Sequence, residues 1–191
     1  MKNFRYKVLI VILTLGLLWI PYEGFSQEFS RDMKLTRKEK QEAKKAGLYE
    51  NFKAIETLLD KKTFVLEAEY LQNRYGGFIA VSSNINFIKV DPSAVVLQTG
   101  SSAASGYNGV GGLTAEGNLN TWKVTKDQKR LNYTVFFTTT TNIGTYDVLI
   151  RIGADASATA TITGMTRGSL TYRGNLVAPY NSRVFKGQRT L

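Results

Sequence analysis

Two hydrophobic periods follow one another along the chain. Leu48, Phe52, Ile55 and Leu59 recur at i, i+4, i+7 and i+11, the spacing of one stripe on an α-helix. The preceding stretch "KEKQEAKKAG" offers only Ala as an apolar residue, so the helix is expected to dock through its second half and leave its first half in water. Thr36 and Glu39 form a capping box at its start. Gly47, about 1 kcal/mol poorer than Ala within a helix, marks an expected kink between the halves.

From residue 63 the period becomes two. In "TFVLEAEYL", Phe64, Leu66, Ala68 and Tyr70 share one face, and Thr63, Val65, Glu67 and Glu69 the other. "RLNYTVFFTTT" turns Leu131, Tyr133, Val135 and Phe137 inward, and "TYDVLIRI" does so with Tyr146, Val148, Ile150 and Ile152. "DASATATITG" sets Ala156, Ala158, Ala160 and Ile162 inward, and "SLTYRGNL" adds Leu170 and Tyr172. Weaker strands are expected over 77–82, 85–90, 94–99, 112–117 and 119–126. "VDPSA", "EGNLN", "KDQKR" and "TNIGT" read as the turns between them. Strands at this density without helical crossovers predict a mainly β fold. It is an antiparallel β-sandwich or small barrel of about eight to ten strands with an N-terminal α-helix.

The segment ahead of the helix changes the setting. Lys2, Arg5 and Lys7 precede the apolar run Val8–Ile20, Pro21 ends it, and Gly24 and Ser26 are small residues before Gln27. This is the pattern of a secretory signal cut between Ser26 and Gln27, and the run is shorter than the ~20 residues of a spanning helix. Residues 1–26 are therefore expected to be a signal peptide, 27–62 a lead-in and helix, and 63–191 a β domain with a basic C-terminal tail. The chain has no Cys, so it has neither a lipoprotein anchor nor disulfides, and its core alone must hold it. Export to the periplasm or outer membrane, or secretion, follows, with no transmembrane anchor once the signal is removed.

The net charge is +10, and no acidic residue follows Asp155, whereas Arg167, Arg173, Arg183, Lys186 and Arg189 do. Anionic lipid or acidic glycan fits such a charge, although a solvated basic face is the commoner explanation. Nucleic acid is not expected, since no RNP-like strand, zinc module or helix-turn-helix pattern is present.

His and Cys are both absent, which removes Ser–His–Asp and Cys–His catalysis and imidazole or thiolate metal sites. Glu67 and Glu69 stand roughly 7 Å apart by strand rise, a spacing open to an inverting glycosidase pair. Alternation alone also places them together on a wet face, the more ordinary reading. The stretch "LQTGSSAASGYNGVGG" lacks the Lys and following helix of a phosphate-binding loop. It is either a lid over a barrel mouth or a mobile connector, and Tyr107 is its candidate ligand contact, or else a side chain packing the loop to the body. No catalytic residue, metal site or cofactor is assigned.

Taken in order, "FVLEAE", "INFIKVDPSAVVLQTG", "GYNGVGGLTAEG", "WKVTKDQKRLNYTVFF", "TYDVLIRI" and "GSLTYRGNL" resemble the bacterial secreted family named domain of unknown function 4251, over about residues 36–176. The resemblance implies an envelope protein of Gram-negative bacteria, and no activity, catalytic residue or cofactor. The "QTGSSAAS" segment is more polar than that family's pattern. The expectation is a non-enzymatic envelope module that binds a lipid, apolar small molecule, glycan or envelope protein. The alternatives are a structural or partner-binding protein without a small-molecule site and, more distantly, a carboxylate-based hydrolase.

Overall fold

The computed structural model describes residues 36–101, 109–164 and 168–190. The chain divides into two compact units, Met1–Lys44 and Lys45–Leu191. In the first, residues 36–44 open helix α1 (Arg37–Asp60), and the capping box forms as expected. Thr36 N donates to Glu39 Oε2 at 2.6 Å, and Glu39 N donates to Thr36 Oγ1 at 3.3 Å. These bonds from Thr36, backbone first and hydroxyl second, hold the Glu39 carboxyl below its usual range.

In the second unit α1 continues through Gly47 unbroken, so the expected kink is absent. The next turns bury Phe52, Ile55 and Leu59. At about 1.5–3 kcal/mol for each such side chain, that burial outweighs the ~1 kcal/mol cost of one helical glycine.

Nine strands follow: β1 (Phe64–Asn73), β2 (Phe78–Ala80), β3 (Phe87–Val90), β4 (Ala94–Thr99), β5 (Leu113–Asp127), β6 (Asn132–Thr141), β7 (Gly144–Gly153), β8 (Ser157–Gly164) and β9 (Ser169–Val177). Every pairing is antiparallel, and β1 pairs with β9 as well as with β3. The sheet therefore closes on itself as an eight-stranded barrel, β1-β3-β4-β5-β6-β7-β8-β9, and the sandwich alternative falls away. The short β2 is the extra strand. It pairs with Tyr70–Gln72, and β3 pairs with Phe64–Glu67. Because β9 occupies the other edge of β1 over both stretches, β2 and β3 lie on the same edge, split by an excursion through residues 81–86.

The inward positions form one core. Phe64, Leu66 and Ala68 of β1, Tyr133, Val135 and Phe137 of β6, Val148, Ile150 and Ile152 of β7, and Ala158, Ala160 and Ile162 of β8 all belong to it. Phe52, Ile55 and Leu59 of α1 join the same cluster, so the helix closes one end of the barrel. There Phe52 stacks on Tyr133 with ring centroids 4.4 Å apart, and Lys126 pairs with Glu56 at 2.5 Å.

Three expectations are corrected. Tyr70 is exposed, not inward. The register between β1 and β9 shifts between Ala68 and Tyr70, and this bulge passes the inward position to Leu71. "EGNLN" is not a turn but the middle of β5. Gly117 lies so close to β6 that a Cβ there would stand 2.2 Å from the Thr140 carbonyl oxygen, and the register slips between Leu119 and Trp122. The glycine serves close approach and a bend, and does not reverse the chain.

The third correction concerns Val65, placed by alternation on the wet face and in fact buried. With Phe87 and Val96 it forms a second apolar cluster, against which Val177 and Val184 pack. The C-terminal segment covers this outer face as a strap. Phe185 N donates to Asn84 O at 2.7 Å, and Thr190 N donates to Thr114 O at 3.0 Å.

Candidate binding cavity at the open end of the barrel

Among the described residues, nothing fills the end of the barrel opposite α1. Here β4 and β8 end, and β5, β7 and β9 begin. Their terminal residues Leu97, Leu113, Ala115, Tyr146, Ile162, Leu170 and Tyr172 surround a cavity of about 340 Å³. The interior narrows from filled to empty for a reason visible in the side chains. The middle layers carry Phe137, Val148 and Ile150, whereas at the mouth three of the lining positions are Ala115, Gly164 and Gly168, which project little or nothing inward.

Polar groups in the wall are few. Thr99, Ser169, Tyr146 and Tyr172 supply hydroxyls, and no charged side chain is among the described lining residues. Tyr172 donates its hydroxyl to Gln98 O at 3.2 Å, and burial pushes its phenol far above the usual range, so it stays neutral. Thr139 stands directly across the ladder from Tyr146, and its buried hydroxyl has no partner among the described residues. The wall is thus mostly apolar with a few hydroxyls, the chemistry that suits an apolar group.

Of the residues singled out from sequence, Ser26, Gln27 and Tyr107 lie outside the described residues. The two ends of the glycine-rich stretch are described, and both are held. Asn86 Nδ2 donates to Gly100 O and Gly100 N donates to Asn86 Oδ1, while Ser101 N donates to Val110 O at 2.9 Å. A Cβ on Gly112 would stand 2.3 Å from Thr99 O, so this glycine lets the end of β4 and the approach to β5 touch beside the cavity-lining Thr99.

Glu67 and Glu69 are not an equivalent pair on a wet face. Glu67 Oε1 accepts from Ser182 Oγ at 2.6 Å and from Arg183 N at 3.2 Å, and so anchors the strap. Glu69 sits at the β1 bulge and accepts from Asn175 Nδ2 at 3.1 Å. Neither lines the cavity.

Sequence reasoning missed Gln98, which alternation marks only as a polar position. Its side chain is fully buried, and all its hydrogen-bonding capacity is used. Nε2 donates to Ile85 O and Phe185 O, while Oε1 accepts from Thr114 Oγ1 and Gly187 N. No local signal marks such a residue, because its partners lie up to 89 positions away.

Residues 47–176 match the model of the family described as domain of unknown function, DUF4251. The chain belongs to this family. A DUF4251 family protein from Bacteroides eggerthii, solved by crystallography, is similar at 27% identity and a TM-score of 0.59, covering 71% of this chain and 92% of its own. No curated protein matches.

Proposed function

We propose that this DUF4251 protein is an exported, non-enzymatic module of the cell envelope that takes an apolar ligand, or the apolar part of an amphiphile, into the open end of its barrel. The observation that carries the reading is the cavity. At about 340 Å³ it falls within the range of ligand sites, and it is twice the ~150 Å³ that admits benzene. The wall has apolar side chains from five strands and a few hydroxyls to orient a polar end. Export rests on the basic start, the apolar run Val8–Ile20 and the small residues before Gln27.

The test is titration of the purified protein with a fluorescent fatty acid. Saturable binding is expected. Ala115→Phe fills the cavity and should abolish it, at a stability cost of about 1–3 kcal/mol. Leu170→Asp, at the half-buried rim, should weaken binding by placing a charge in the mouth. Absence of saturable binding, or binding by both variants equal to that of the wild type, would sink the proposal. Mass spectrometry of protein purified natively from its own envelope then identifies the physiological guest.

A further inference from the structure

The hairpin that joins β1 to β2 carries large apolar side chains into solvent. Tyr75 is 79% exposed, Ile79 61% and Phe78 50%. Tyr70, at 48%, shares a face of the ribbon with Phe78, while Ile79, paired with Leu71, projects from the other face of this edge strand. Other exposed apolar residues, such as Tyr49, Val124 and Tyr180, lie singly on separate elements. Single exposures are ordinary, but a cluster on one projecting hairpin is not.

Cations accompany the cluster. The Arg74 guanidinium lies 4.5 Å from the Tyr75 ring centroid, and that of Arg173 4.7 Å from the Phe78 ring. Between Tyr70 and Val81 there is no acidic residue. The hairpin also adjoins the mouth of the cavity. Asn73 pairs with Leu170, which lines it, and Leu113, exposed at its rim, belongs to the same end of the barrel.

We infer that the β1–β2 hairpin docks the open end of the barrel onto an anionic lipid bilayer, with Tyr75, Phe78 and Ile79 entering the interface and Arg74 and Arg173 meeting the headgroups. Aromatic rings combined with arginines suit this boundary, because the rings partition to the headgroup level and the guanidinium groups stay with the phosphates. Docking turns the mouth toward the acyl chains. It therefore names the cavity's guest as an acyl chain drawn from that bilayer, and this part of the inference rests on the cavity reading above.

Co-sedimentation with phosphatidylcholine vesicles, with or without about one-third phosphatidylglycerol, tests the docking. The protein should bind the anionic vesicles and leave the neutral ones largely unoccupied. Phe78→Ser/Ile79→Ser should lower vesicle affinity by roughly tenfold or more through lost apolar insertion. Arg74→Gln/Arg173→Gln should remove most of the salt dependence of binding. β2 is a three-residue exposed strand, and circular dichroism with thermal melting checks that the barrel is intact. Should the double serine variant unfold, Tyr75→Ser at the hairpin tip takes its place and should show the same loss.

Fatty-acid binding in solution, without vesicles, reads the cavity separately. It should be unchanged in the serine variants, so a failure of docking is distinguishable from a failure of the cavity. Equal vesicle binding by wild type and serine variants would overturn the inference. So would an absence of anionic preference, or a dimer that the serine variants dissolve while vesicle binding is nil.

Discussion

Gln98 shows how much one buried side chain can decide. It sits on β4, fully enclosed, and its four hydrogen bonds join β4 to the excursion before β3, to β5 and to the C-terminal strap. Gln98→Ala would leave the Thr114 hydroxyl, Gly187 N–H and two carbonyls without these partners. Two of the lost bonds, to the Thr114 hydroxyl and the Gly187 N–H, lie in buried surroundings, where such a loss costs about 1–3 kcal/mol, so the variant should lose a few kcal/mol in chemical denaturation. Faster proteolysis should begin in the strap. A change of less than about 1 kcal/mol would mean that water replaces the amide at no loss. Glu67 works at the same strap from the outside, and its role follows from the same contacts: a carboxylate that accepts from Ser182 and Arg183 is an anchor.

Among the elements, those governed by alternation were legible, because one buried face requires it. β6, β7 and β8 bury Tyr133, Val135, Phe137, Val148, Ile150, Ile152, Ala158, Ala160 and Ile162 as period two selects, whereas Tyr146 is only half-buried. Leu131 and Ala156, expected inward on these strands, sit half-buried in the turns before them at positive φ. The phase of β1 was not legible beyond Ala68, since a bulge is a backbone event that leaves no mark in "LEAEYL". The buried outer face of Val65 escaped for another reason. Its cover is the strap, an extended segment with only Val184 packed against that cluster and no period at all. The cavity was legible in part: Tyr146, Ile162, Leu170 and Tyr172 were placed inward, but emptiness depends on which interior layers go unfilled. The helical stripe was the clearest signal, and it carries a direct test. Leu59→Ala should cost about 2–5 kcal/mol, because Leu59 is 1% exposed. Lys38→Ala, on the exposed first turns, should stay within about 0.5 kcal/mol. Equal, negligible effects would mean that α1 contributes nothing to the fold.

In the barrel unit as a whole the two ends are unequal, and the inequality leaves a cavity at one of them. At one end α1 supplies Phe52, Ile55 and Leu59 as a plug, with Trp122 packing 6.3 Å from Phe64 and 5.9 Å from Phe137. At the other the strand ends surround a space that no described residue fills. The interior is apolar, while the outer face carries Arg151, Thr159 and Arg173 on successive paired strands, the reverse of a membrane-spanning barrel. Local stability should follow the same polarity. Amides near Tyr133 and Ile152, beneath the plug, should exchange only by global unfolding, and those near Leu113, Tyr146 and Leu170 through smaller openings. A guest in the cavity adds contacts at the mouth alone, yet it raises global stability by mass action, about 2.7 kcal/mol at a hundredfold excess over Kd. Hydrogen exchange with and without a saturating fatty acid should therefore show new protection concentrated at the mouth. At the plugged end only the slowest, globally exchanging amides should gain. Uniform protection without local gain at Tyr146 and Leu170 would place the guest elsewhere, and protection centred on Ile55 would move the site to the helix.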